Sequence, residues 1–220
     1  MATIFLGVVL GGLVPLEQQW RDVQSKPENP KRLVEESRLL YYLGSQDPEN
    51  SKTKWSEGRE KAEAARKVPT SEPGATFWWA ANLGALARAE KNLAALGKIV
   101  QIEKALLELK RSYPTYGYAA ADRVLGKIYS QAPRFISIGS TSEAESHMKA
   151  ALAAAPEYPG NHLNWLEFLV EEERWDAART ALAEAKRVPW DKDFGAFNPD
   201  KLGWASQLKN IETALERKTH

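Results

Sequence analysis

The stretch ATFWWAANLGALARAEKNLAALGKIVQIEKALLELKRSYPTYG, residues 75–117, can be laid over the stretch that follows it, GYAAADRVLGKIYSQAPRFISIGSTSEAESHMKAALAAAPEYPG, residues 117–160. Leu83 and Leu125, Gly84 and Gly126, Gly97 and Gly139, Glu103 and Glu145, Pro114 and Pro156, and Tyr116 and Tyr158 all lie 42 positions apart. Anchors held at one offset mark an internal repeat. The flanks repeat as well: KWSEGREKAEAARKVP, residues 54–69, matches RWDAARTALAEAKRVP, residues 174–189, with Trp55 and Trp175 each 14 residues before a proline.

Within each unit a first helix carrying L-G-x-x-Y is followed by an alanine-rich second helix that stops at a proline, the pattern of a tetratricopeptide hairpin. The best copy is Leu125, Gly126 and Tyr129, then Ala144, Met148, Ala151 and Pro156. Gly84 and Gly126 are expected to let paired helices approach closely, and Pro156 cannot continue the helix before it. Ser142 with Glu145 reads as a capping box. Ala144, Met148, Ala151 and Leu152 then share one apolar face.

The fold class that follows is all-α: a tetratricopeptide-like helical-hairpin array, or α-solenoid, with a C-terminal capping helix. Four helix pairs are predicted, over 33–68, 77–112, 119–155 and 162–188. A last helix over 199–217 shows Trp204, Leu208, Ile211 and Leu215 at i, i+4, i+7 and i+11, the single stripe a capping element needs. Polar breaks are expected at 46–54, 70–74 and 191–199.

Residues 31–220 are read as one tetratricopeptide-like domain, preceded over 1–30 by an apolar segment and a polar linker. Met1 to Pro15 has no charged side chain and is too short to span a bilayer, which takes ~20 residues. It resembles the core of a secretory signal without the basic n-region or an A-x-A site, the alternative being an element packed on the body. Export to the periplasm is the expectation, with a cytoplasmic location as the alternative. From Arg21 onward, Pro27 and Pro30 are expected to prevent regular structure.

Lysine plus arginine (30) nearly balance aspartate plus glutamate (29), so no field gathers phosphate backbones, and nucleic acid is not an expected partner. Cysteine is absent, which removes thiolate nucleophiles, disulfides and zinc-thiolate sites together. His147, His162 and His220 are the only histidines and share no turn, so hydrogen-bonded or solvated histidines are expected and no metal ligand. Glu171, Glu172 and Glu173 read as a solvated helix end. No nucleophile elbow, zinc-protease helix or phosphate loop is present; binding is expected, not catalysis, and no cofactor.

The candidate binding residues lie on first helices, which line the concave face of such solenoids. Trp78 and Trp79 are adjacent, about 100° apart on a helix, so one of them can face a groove. Trp165 lies on the first helix of a later unit. Asn82, Arg123 and Asn164 are polar residues in apolar helices, either paired within the fold or offered to a ligand. With Tyr118 and Tyr129 they form a candidate site for a small apolar ligand or an amphipathic carboxylate, since the guanidinium fork of an arginine binds carboxylates. The function class left open against this is a general adaptor gripping a peptide in an open groove, for which Asn82, Arg123 and Lys127 would be a sparse set of clamp residues.

Gly84 to Pro114 and Gly126 to Pro156 each span 30 positions, longer than the ~24 of an ordinary unit, the extra residues being expected between the helices. With FWWAANLG, YAAADRVLGKIYSQAP, TSEAESHMKAAL and NHLNWLEFLVEEERWDAARTAL, the chain resembles, over about 75–216, the T components of tripartite ATP-independent periplasmic (TRAP) transporters. That resemblance implies a periplasmic accessory protein that partners the substrate-binding P component and handles apolar ligands; a homo-oligomer is left open as a further assembly. Two features depart from the family: no cysteine is available for acylation, and the loop that often carries paired glycines reads Ser137, Ile138, Gly139, Ser140.

Overall fold

The computed structural model describes residues 15–68, 72–90, 94–133 and 137–218. The apolar run before Pro15 and His220 lie outside the described residues. Ten α-helices and one 3-10 turn are present, with no strand among the described residues: α1 Leu16–Gln24, α2 Pro30–Gln46, α3 Ser51–Arg66, α4 Pro73–Glu90, α5 Ala94–Ser112, α6 Tyr116–Gln131, α7 Thr141–Ala154, α8 Pro159–Glu171, α9 Trp175–Ala185, the turn Gly195–Asp200 and α10 Lys201–Arg217. Consecutive helices pack as hairpins, α2 with α3, α4 with α5, α6 with α7 and α8 with α9, and α10 closes the array against α8. None of the described helices is long and apolar enough to cross a membrane.

Prolines start helices here as well as ending them. Pro30 and Pro159 each occupy the first turn, where the missing N–H is not needed. Asn29 caps α2 by accepting the Arg32 amide at 3.0 Å. The expected irregular linker therefore shrinks to Ser25–Asn29: Arg21–Gln24 belong to α1, which packs on α2 and buries Val23. The cap of α7 is Ser140, whose hydroxyl accepts the Glu143 amide at 3.3 Å, two residues before the expected Ser142–Glu145 box. Glu145 instead pairs with Lys149 and Arg174 across the surface.

Gly126 sits where two helices nearly touch: a Cβ there would lie 2.6 Å from Met148 Cγ and 3.3 Å from the Ala144 carbonyl. Gly84 does not, since its nearest neighbour would be Ile102 Cδ1 at 3.7 Å, an ordinary contact distance, so that glycine is no close-approach residue. The two long repeats also place their extra residues differently. The first lengthens its helices, α4 to 18 and α5 to 19 residues. The second has a long connector between α6 and α7.

Two buried carboxylates tie helices together, one within a hairpin and one between two hairpins. Glu36, 1 % exposed, is paired with Arg32 and Lys61, each at 2.9 Å, joining α2 to α3. Asp122 accepts from Lys110 at 2.8 Å and lies 2.6 Å from His147 Nδ1, joining α5, α6 and α7. Burial disfavours the Asp122 carboxylate, but the hydrogen bonds from His147 and Lys110 outweigh it and hold its carboxyl below the ordinary range. His162 is buried on a local bond to the Pro156 carbonyl at 2.6 Å.

Candidate functional site: a cavity on the concave face

α4 is apolar nearly all round because it is covered on both sides. Phe77, Ala81, Gly84 and Arg88 recur at i, i+4, i+7 and i+11 on the face turned to the concave side. On α6, Val124, Ile128 and Gln131 do the same. Between these two faces lies a cavity of about 440 Å³. Tyr41 and Tyr42 of α2 and Ile99 and Ile102 of α5 close its sides, and Asn164 of α8 adds an amide to its wall. From Phe77 to Arg88 the α4 wall runs about 16 Å at the helical rise.

The floor comes from outside the hairpins. After α9 the chain returns across the concave face, and its 3-10 turn inserts Phe197, 5 % exposed, against Trp78 at a centroid distance of 5.5 Å with the rings nearly parallel. Phe77 and Tyr116 meet the same ring at 5.7 and 6.0 Å. Asp200 accepts the hydroxyls of Tyr42 at 2.8 Å and Tyr158 at 2.6 Å, and the Ala196 carbonyl accepts from Arg38 at 3.4 Å. Burial, and then the Asp200 charge, push the Tyr42 hydroxyl well above its usual range, so it stays a neutral donor at pH 7. Burial likewise raises Tyr41 and pushes Tyr116 up to about 12.

Of Trp78, Trp79, Asn82, Tyr118, Arg123, Tyr129, Asn164 and Trp165, the structure brings three to this space: Trp78, Arg123 and Asn164. Trp79 points the other way and lies under the Arg66 guanidinium, 4.3 Å from its ring centre. Asn82 is fully buried in the α2–α4 contact, its amide donating to Ser37 O, Ser37 Oγ and Trp78 O at 2.9–3.1 Å. Tyr118 stacks on Tyr158 at 4.8 Å beneath the returning segment. Tyr129 faces α5 and α7, donating to Glu103 at 2.6 Å with its ring on His147. Trp165 is half-buried on Phe168.

Arg123 has a role that sequence reasoning missed. Gly117, Tyr118 and Ala119 open α6 in a left-handed turn with φ of 57, 59 and 59°. For residues with a Cβ this conformation costs ~1–2 kcal/mol each. Arg123 Nη1 donates to the Gly117 and Tyr118 carbonyls at 3.1 and 3.0 Å and to Asn161 Oδ1 at 3.3 Å, while its guanidinium lies 4.6 Å from the Tyr158 ring centre. Asn161 Nδ2 donates to the Tyr118, Ala151 and Ala155 carbonyls. Arg123 thus walls the cavity while clamping the turn that starts its own helix.

Three cations, Arg88, Arg123 and Lys127, face the cavity against the single carboxylate of Asp200. Lys127 is ion-paired with Glu167. Among the described residues no group of three or more His, Asp or Glu side chains is placed to hold a metal ion. The arrangement is suited to holding an apolar body beside an anionic group, with neutral phenols as donors.

No protein-family model matches this chain, and no curated protein does so significantly. Among solved structures, the crystal structure of a thermophilic TPR protein from Thermus thermophilus is similar to it, with a TM-score of 0.65 and 21% identity over 88% of this chain and 89% of that one. The fold is therefore a tetratricopeptide-like α-solenoid.

Proposed function

We propose that the protein is a non-catalytic binding protein that takes an apolar or amphipathic carboxylate ligand into the concave cavity. The observation that carries this reading is the cavity itself. Its 440 Å³ falls within the ~300–1,000 Å³ of small-ligand sites, and a mainly aromatic and aliphatic lining carries an excess of cations. The resemblance of residues 75–216 to TRAP T components adds the finer proposal: a periplasmic accessory role, docking a substrate-binding P component. The returning segment favours a small ligand over an extended peptide, because Phe197 and Asp200 occupy the groove along which a peptide would lie in an open solenoid.

Titration of the full chain with decanoate and decanol, followed by calorimetry and tryptophan emission, tests the ligand reading. Saturable heat is expected, with an emission change that Trp78→Phe diminishes. Absence of both signals at millimolar ligand overturns it. The partner proposal is tested by mixing the chain with a TRAP substrate-binding P component from the same organism and measuring co-elution; two separate peaks count against it.

A further inference from the structure

Resting on the ligand reading above, we propose that Arg88, together with the Tyr41 hydroxyl, anchors the carboxylate of the bound ligand at the cavity mouth, and that Arg123 does not. Among the three cations that face the space, the structure gives two other commitments. Arg123 is 8 % exposed and is held in place, with Nη1 shared among two carbonyls and the Asn161 amide oxygen and the guanidinium over the Tyr158 ring, so its charge is already engaged with the left-handed turn at Gly117–Ala119. Lys127 already has a carboxylate partner in Glu167. Arg88 has none among the described residues, and its side chain is exposed at the end of the α4 wall.

Its side chain lines the same space as Tyr41, whose hydroxyl feels the guanidinium charge as an opposing influence to burial. A guanidinium carries five donors in a planar fork, so a carboxylate can be held by two of them while Tyr41 keeps its place beside the ligand. The position also agrees with solvation. A carboxylate at Arg88 stays near water, where its desolvation cost is small, while the chain behind it lies along Ala87, Gly84, Ile102 and Trp78. Asp200 faces the same space from the returning segment, and its charge disfavours a carboxylate seated deeper. Gly84 is one of the residues lining this space, and as a glycine it leaves the α4 wall without a side chain there.

The test uses the full chain and two probes of equal length, decanoate and decanol, with Arg88→Gln and Arg88→Lys compared with the parent. Arg88→Gln is expected to weaken decanoate about tenfold, the loss of one charge-assisted bidentate contact at an exposed site, and to leave decanol within a factor of two. Arg88→Lys recovers part of the decanoate affinity, and raising the salt concentration narrows the gap between parent and Arg88→Gln. Thermal melts of both variants matching the parent show that the loss is local. Equal decanoate affinity in parent and Arg88→Gln overturns the anchor while leaving the ligand reading standing. Binding of neither probe to the parent overturns both.

Discussion

The Trp78 indole and the Phe197 ring stack at 5.5 Å and 25°, although one belongs to the second hairpin and the other to the segment that follows the fourth. This contact converts an open concave face into a cavity with a floor. The expected consequence of Phe197→Ala is a loss of ~3–5 kcal/mol in denaturant unfolding, typical of a buried phenylalanine, with a red shift of tryptophan emission in the folded state. A variant as stable as the parent would show that the segment merely lies on the surface.

The two repeat glycines predict opposite phenotypes. Gly126→Leu drives a branched side chain into Met148 and the Ala144 carbonyl, and should cost ~1–3 kcal/mol or more. Gly84→Leu meets Ile102 only at an ordinary contact distance and extends along the cavity wall, should hold stability within ~1 kcal/mol, and should abolish the calorimetric response to decanoate by filling the cavity. Thermal melts and titrations of the pair give the answer, and a reversed order of stability would contradict it.

Asp122 makes part of the stability pH-dependent. Its carboxyl titrates in the fold below the 3.8 of the free group. Its contribution is thus complete above the unfolded value and disappears as pH falls through the folded one. Stability should decline below about pH 4 more steeply in the parent than in Asp122→Asn, whose own cost near pH 7 is ~1–3 kcal/mol for stranding the His147 and Lys110 donors. Parallel pH profiles for the two proteins would refute the assignment.

Among the described residues Glu173 is the one isolated non-glycine side chain in the left-handed region, at φ 55°. It ends α8 in a Schellman arrangement, with the Arg174 amide donating to the Leu169 carbonyl at 2.8 Å and the Glu173 amide to Val170 at 3.1 Å. Glu173→Gly should therefore stabilise by about 1 kcal/mol, relieving the Cβ clash and removing a negative charge from a helix C-terminus. The midpoint of urea unfolding is the measurement, and a lower midpoint would count against it.

The repeat made the hairpins legible, because proline stops, alanine faces and a constant offset are local signals. Cavity residues were legible only in part. Polar residues inside apolar helices singled out Asn82 and Arg123, yet composition cannot tell a ligand contact from an internal tie, and both hold backbone carbonyls. Arg88 was readable in principle, lying one turn after Gly84 on the face that begins at Phe77, but a terminal arginine on a helix is ordinary. Phe197 fell in a stretch read as a polar break, where two phenylalanines among polar residues were the available signal, and Asp200 at the start of the predicted capping helix. Their partners Trp78 and Tyr42 lie far away in the chain, and no periodicity reports such a contact.

The bond from Tyr42 to Asp200 joins the first hairpin to the element after the last one. Repeat arrays with neighbour-only contacts fold and fray unit by unit, in a nearly one-dimensional manner. Here the terminal units hold each other, so unzipping from either end must first break the clasp, and unfolding should approach a single all-or-none transition. The same clasp raises the contact order, and its closure must wait during synthesis until residue 200 has left the ribosome. Until then the aromatic face of Trp78 and Phe77 is uncovered, which makes the nascent chain the form most exposed to aggregation.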